Sequence, residues 1–224
     1  MIANSIASAI DAGVFGAVIV STDDPVIADV ARHYGAEVPF LRPKELAGSA
    51  SPDIEWVDYT LRRLRDAEQI FDGFAILRPT SPFRTAATIQ RAWDLFRKDP
   101  GADSLRAIER CKQHPGKMWV VRGNRLFPLL PFGPKEQPWH SSPYQSLPEV
   151  FVQNASLEIA WSRVVLNGGT IAGETIVPFV TDEAEGFDIN DEWDWWIAEE
   201  VVRRGIWMLP PIRQTPYAGQ TTPL

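Results

Sequence analysis

The chain has 224 residues, 45% of them hydrophobic, and a formal charge of −7. That acidic balance argues against a nucleic-acid partner, which needs a basic field, while the apolar content supports the core of one sizeable α/β domain. A single cysteine, Cys111, excludes an intrachain disulfide and fits a reduced compartment. With no basic leader, long apolar run or lipidation motif, the expected location is the cytoplasm, without a membrane partner.

Ile2, Ile6, Ala9 and Ile10 are spaced for one helical face. Val14 to Val20 reads as a strand ending at Ser21-Thr22-Asp23. Asp24 and Pro25 then open a helix that buries Ile27 and Val30 with Ala31 and Tyr34. Gly35 closes it, and Val38 to Leu41 is a further short strand. Arg42 stands just past that strand, fixed by Pro43, either as a solvated loop charge or as a ligand contact. After a loop from Lys44 to Ala50, Ser51-Pro52 starts a helix whose apolar stripe is Ile54, Val57, Leu61 and Leu64.

The chain is organised around the stretch from Ala75 to Arg84. Gly73 to Leu77 is a short, unalternating apolar run, as a strand covered on both faces would be. It ends in Arg78-Pro79-Thr80-Ser81-Pro82-Phe83-Arg84, where two prolines fix the backbone around two hydroxyls and an arginine stands on each side. Thr85 can cap a helix with Ile89, Ala92, Trp93 and Phe96 on one face. Open α/β sheets bind ligands beyond the carboxyl ends of their strands, so this turn reads as a phosphate or carboxylate site.

Asp103 to Ile108 is another strand, and the alternation to this point predicts a doubly wound, mainly parallel sheet. Prolines and aromatics are dense from His114 to Pro148, with Gly123-Asn124 as a hairpin turn, too much material for a bland loop. A strand from Leu157 to Trp161, a short helix, a strand from Thr175 to Val180 and a last helix from Asn190 complete the pattern. Trp193, Ile197 and Val201 are expected on that helix's core face. Past Arg204 the tail is Pro-rich, and draped or disordered.

Leu77-Arg78-Pro79-Thr80-Ser81-Pro82-Phe83-Arg84 resembles the L-x-P-T-S-P-[LF]-R signature of the acylneuraminate cytidylyltransferases. Val20 to Asp24, Gly35 to Pro43, His114-Pro115, Gln145 with Leu147-Pro148, Gln153-Asn154-Ala155 and Phe187-Asp188-Ile189-Asn190 are similar to the family's other blocks, in order. The resemblance covers nearly the whole chain to about Arg204. It implies a Rossmann-like fold of the nucleotide-diphospho-sugar transferase kind over residues 1–204, with a dimerisation or flap insertion at 114–150 and a tail at 205–224. It further implies a homodimer, Mg²⁺ as cofactor, and CTP and a nonulosonic (sialic-like) acid as substrates.

Carried over residue by residue, the resemblance gives Asp188 as metal ligand and, with Arg78, as catalytic group. Arg42, Ser51, Thr80 and Ser81 would hold the nucleotide, with Asp53 competing with Ser51 for the ribose. Arg78, Gln145 and Asn154 would hold the sugar. There are departures. Asn190 replaces the usual second Asp, which weakens a second metal. Tyr144 stands where many sialic acid enzymes have Arg, and Arg78, at a position often Gln, is expected to supply the missing cation, so an acceptor of legionaminic type, or another nonulosonic acid, fits better than ordinary sialic acid.

The resemblance also implies a strand and a Gly- and Lys/Arg-rich phosphate loop ahead of Ile2, and no such loop occurs in the 224 residues. An internally placed start or a truncated chain is expected rather than a degenerate relative, with weak CTP binding by the 224 residues alone. The alternatives are another nucleotidyltransferase of this fold and a non-catalytic regulatory homologue.

Overall fold

A computed structural model describes residues 1–219. Its main sheet has four strands in the order β1 (Gly73–Ile76), β5 (Phe151–Trp161), β2 (Ser104–Arg110), β6 (Ile176–Val180). β5 is antiparallel to both neighbours and β2 is parallel to β6, so β1, β2 and β6 run one way and β5 alone is reversed. Three carboxyl ends therefore gather at one edge, beside the amino end of β5.

Strand parity divides the side chains between two helical layers. Ala75, Leu105, Ala107, Leu157 and Ile159 face α4 (Ala86–Phe96), packing on Ala92 and Phe96. Ile76 and Phe74 face the other way, onto Val57 and Leu61 of α3 (Asp53–Asp66) and Val165 of α5 (Ser162–Leu166). With helices on both faces, the domain is doubly wound. Each fully buried Leu, Ile or Phe here contributes about 1.5–3 kcal/mol of transfer free energy. α4 begins as expected, with Thr85 and Thr88 forming a reciprocal capping box.

A third cluster joins α1 (Ile2–Ala12) to α2 (Pro25–His33), over Val18, Val20 and Val38. The strands expected at 14–20 and 38–41 reduce to one parallel bridge, Ile19 with Glu37, supported by Val20 N–H to Glu37 O at 2.9 Å and Glu37 N–H to Val18 O at 2.7 Å. Pro39 has no N–H to donate, so the ladder stops there. Of the tail at 205–224, residues 220–224 lie outside the described residues. The rest runs back over the first two helices: Pro210 O accepts from Asn4 Nδ2 at 3.0 Å, and Tyr217 N–H donates to Tyr34 Oη at 3.1 Å.

The last helix, α7 (Glu192–Arg203), corrects one expectation. Trp193 and Ile197 are 72% and 37% exposed and only Ala198 is buried. Asp191 rather than Asn190 caps the helix, and its tryptophan face is turned to the outside. Within the 114–150 insertion, β3 (Trp119–Arg122) and β4 (Arg125–Pro128) form the hairpin. Gly123 takes φ +60° at the first turn position, as a type II′ turn requires. Trp139 packs on Gly116 and Gly133, where any Cβ would lie within 3.1 Å of it. The short α6 (Glu183–Gly186) lies between β6 and α7 in the chain.

Candidate active site

Two cavities meet at Arg78. The larger, about 1190 Å³, lies beyond the carboxyl ends of β2 and β6 and is lined by Arg110, Lys112, Asn154, Thr181 and Asp188 among others. The smaller, about 590 Å³, runs between the unpaired edge of β1 and residues 17–21, floored by α1 and α3, with Arg42, Ser51 and Trp56 on its wall. Arg78 borders both.

The charges around Arg78 are set by parity. Arg106 on β2 is directly opposite Glu158 on β5, both on the α3 face. Ion pairs join them and carry on to Arg78, whose Nη2 lies 3.3 Å from Glu158 and 2.5 Å from Asp53. Burial opposes ionisation of Asp53, but hydrogen bonds from Arg78 and Trp56 hold its carboxyl below the usual range. The same burial lowers Arg106. Two acids and two arginines make a neutral cluster.

Arg84 differs from the expectation that it flanks the ligand. It is 1% exposed and donates to the carbonyls of Arg78 and Ser156 and to Ser5 Oγ at 3.1 Å. Burial without a carboxylate pulls its pKa down to about 10, so it remains a cation inside the fold. It ties α1, the central turn and β5 together.

At the other side of the larger cavity, Asn154 is held at both ends. Its Nδ2 donates to Thr181 Oγ1 at 2.8 Å and reaches Glu109 Oε2 at 3.4 Å, while Oδ1 accepts from Ser156 N–H at 3.2 Å. Gly186 makes room for this group: a Cβ there would collide with Glu109 Oε2 and lie 2.7 Å from Asn154 Nδ2. Two residues on, Asp188 is part-buried and its Oδ1 is shut off from solvent with no hydrogen-bond partner among the described residues. An orphaned carboxylate oxygen fits a divalent cation. Among the described residues no three His, Cys, Asp or Glu side chains gather as a metal cage.

Of the residues singled out in the sequence, Asp188, Arg78 and Asn154 share the larger cavity, and Arg42 and Ser51 line the smaller. Arg42 lies with Cζ 5.4 Å from the Trp56 ring centre, its Nε buried and unpartnered. Ser51 Oγ accepts from Gly48 N–H at 3.1 Å, closing its own loop. Thr80, Ser81 and Gln145 line neither cavity. Thr80 contributes its carbonyl, which accepts from Ile189 N–H at 2.9 Å and joins the turn to the Asp188 segment. Ser81 is buried with Oγ unpartnered, and Gln145 is exposed. Arg106, Glu158 and Glu109 did not stand out in the sequence. The available signal was a charge inside each apolar strand, Arg106 in Leu105-Arg106-Ala107 and Glu158 in Leu157-Glu158-Ile159.

Residues 1–90 match the protein family described as cytidylyltransferase. The chain is 29% identical over 205 residues to the CMP-N,N'-diacetyllegionaminic acid synthase of Legionella pneumophila, covering 90% of this chain and 84% of that protein. It is 27% identical over 204 residues to the post-translational flagellin modification protein B of Campylobacter coli, with 91% and 84% covered. The N-acylneuraminate cytidylyltransferase of Escherichia coli is 26% identical over 198 residues, 88% of this chain and 45% of that longer protein. Among solved structures, CMP:2-keto-3-deoxy-manno-octonic acid synthetase complexed with CTP superposes with a TM-score of 0.59 at 11% identity, over 90% of this chain and 88% of the other.

Proposed function

We propose that this chain, a homologue of the acylneuraminate-type cytidylyltransferases, couples CTP to a nonulosonic acid, giving a CMP-sugar and pyrophosphate. The observation that carries the reading is the unpartnered Asp188 oxygen in a cavity at the gathered strand ends, on a chain related over nine-tenths of its length to such enzymes.

The reaction is attack of the acceptor's anomeric hydroxyl on the α-phosphorus, with pyrophosphate leaving. Such displacements depend mainly on positioning and charge neutralisation. The nucleotide would lie along the smaller cavity with its base near Arg42 and Trp56 and its ribose near Ser51 and Asp53. Asn154, fixed at both ends, would orient the acceptor. Asp188 would hold Mg²⁺, whose chemistry when bound is to neutralise the triphosphate and align it. The excess of acids on the wall of the larger cavity, six carboxylates against three basic side chains, supports a cation there. Asn190 in place of a second acid fits one metal rather than two.

The functional protein is proposed as a homodimer. Exposed Trp119, Val121, Leu126, Phe127 and Phe132 on the insertion are the surface for it. No described helix is long and apolar enough to cross a membrane.

The test is pyrophosphate release with CTP, Mg²⁺ and a panel of nonulosonic acids including legionaminic, pseudaminic and N-acetylneuraminic types. Release that needs both CTP and one of the acids is expected. No release with any acid, or release with GTP or UTP at the rate seen with CTP, overturns the assignment.

A further inference from the structure

The larger cavity is acidic, yet the proposed acceptor is an anion, with its carboxylate on the anomeric carbon that carries the attacking hydroxyl. Glu109, Asp182, Glu183, Asp188 and Asp194 repel that carboxylate from most of the wall, leaving Arg78, Arg110 and Lys112 as the available cations. Arg78 keeps N–H groups to donate, but its charge is answered by Asp53 and Glu158 within a neutral four-residue cluster. Among the described residues Arg110 is engaged only by an exposed pair with Glu149 at 3.2 Å, which solvent screens. Among the described residues Lys112 takes part in no ion pair.

Tyr144 bears on the same corner. Its hydroxyl lies 2.9 Å from the carbonyl of Cys111 and 3.1 Å from that of Lys112, donating to this backbone and pinning the end of β2 to the insertion. Tyr144 itself lines the cavity beside them.

We infer that Lys112, with Arg110 beside it and Tyr144 holding its backbone, receives the acceptor's carboxylate and determines specificity for an acid. Arg78 then serves as a structural member of the charge cluster between the cavities. The inference rests on the cytidylyltransferase reading and goes beyond it by assigning the anion-binding corner.

The experiment compares wild type, Lys112→Met, Lys112→Arg, Tyr144→Phe and Arg78→Met, measuring turnover and calorimetric binding of the best acid of the panel and of its carboxamide. Lys112→Met is expected to raise the KM and Kd for the acid about tenfold to a hundredfold, the range of a charge-assisted hydrogen bond, with the KM for CTP unchanged. Lys112→Arg should rescue most of this, and Tyr144→Phe should raise the KM about threefold, by loosening one hydrogen bond. The carboxamide should bind wild type and Lys112→Met equally, a result that a merely structural lysine would not give.

An unchanged KM in Lys112→Met with a raised KM in Arg78→Met overturns this inference and leaves the cytidylyltransferase reading standing. A wild-type protein that neither binds nor turns over any acid overturns both.

Discussion

A guanidinium buried without a carboxylate needs other partners, and Arg84 finds them in two carbonyls and a hydroxyl drawn from three separate elements. Removing it strands those acceptors, each at a cost of about 1–3 kcal/mol. Arg84→Met is therefore expected to destabilise the domain by about 3 kcal/mol or more, read from urea denaturation followed by circular dichroism. A change under about 0.5 kcal/mol, typical of surface substitutions, would remove it from this role. Asp188 has the opposite profile. Its buried oxygen makes no hydrogen bond among the described residues, so Asp188→Ala should leave the melting curve nearly intact while lowering Mg²⁺-dependent turnover at least about a hundredfold. Turnover within a few-fold of wild type would take the metal away from Asp188. The proline-bracketed turn was visible in the sequence as a special feature, but the facing of Arg84 and Ser81 was not. Two arginines on either side of a turn look alike until β5 and α1 close over one of them.

At the scale of elements, α6 is fastened to α4 by Glu185, which accepts from Thr88 Oγ1 at 2.6 Å and from Arg91 at 2.9 and 3.0 Å. Burial works to raise the Glu185 carboxyl, yet Arg91, Thr88 and the Asp182 backbone hold it below its ordinary value. A folded-state pKa below the unfolded one gives stability that is full above the unfolded value of about 4.3 and lost as pH falls through the folded value. The stability difference between wild type and Glu185→Gln should accordingly be constant from neutrality to about pH 5 and shrink below it, near the reference carboxylate range. A difference that grows in acid would contradict the assignment. Gly186, next in the chain, is predicted to reject a Cβ: Gly186→Ala pushes on Glu109, Asn154 and Thr181 together, raising the acceptor's KM about tenfold, as overpacking in a polar cluster displaces its members. An unchanged acceptor KM would show that Asn154 is not set by this packing. Caps and stripes made α2, α3 and α4 legible, because those signals are local, but Ile27, expected on the buried face of α2, is 42% exposed, and Ala28 and Ala31 are the helix's buried residues. The reversal of β5 and the outward face of α7 were not legible, because parity within a strand says nothing of its direction and an apolar helix face does not name what it packs against.

In the whole molecule, the insertion hairpin and α7 each carry several exposed apolar side chains, with Trp193 and Trp196 on α7 72% and 57% exposed. Light scattering is expected to give a dimer, and Leu126→Asp with Phe127→Asp to give a monomer, since a charge buried in an apolar interface is strongly unfavourable. A wild-type monomer at high concentration would contradict the dimer. The order of blocks along the sequence was enough to expect a Rossmann-like cytidylyltransferase, and the related chains and the superposed fold agree with it. What the blocks did not carry was the charge balance of the cavity, which arises from residues scattered over β2, β5 and α6 and exists only once they are folded together. The central claim is that cytidylyl transfer to a sugar acid takes place there. Its most direct test is to incubate the protein with Mg²⁺, a nonulosonic acid and an equimolar mixture of CTP, UTP, GTP and ATP, and to weigh the products by mass spectrometry. The account predicts a CMP-sugar as the dominant adduct, absent in Asp188→Ala; a UMP-, GMP- or AMP-sugar, or no adduct at all, would contradict it.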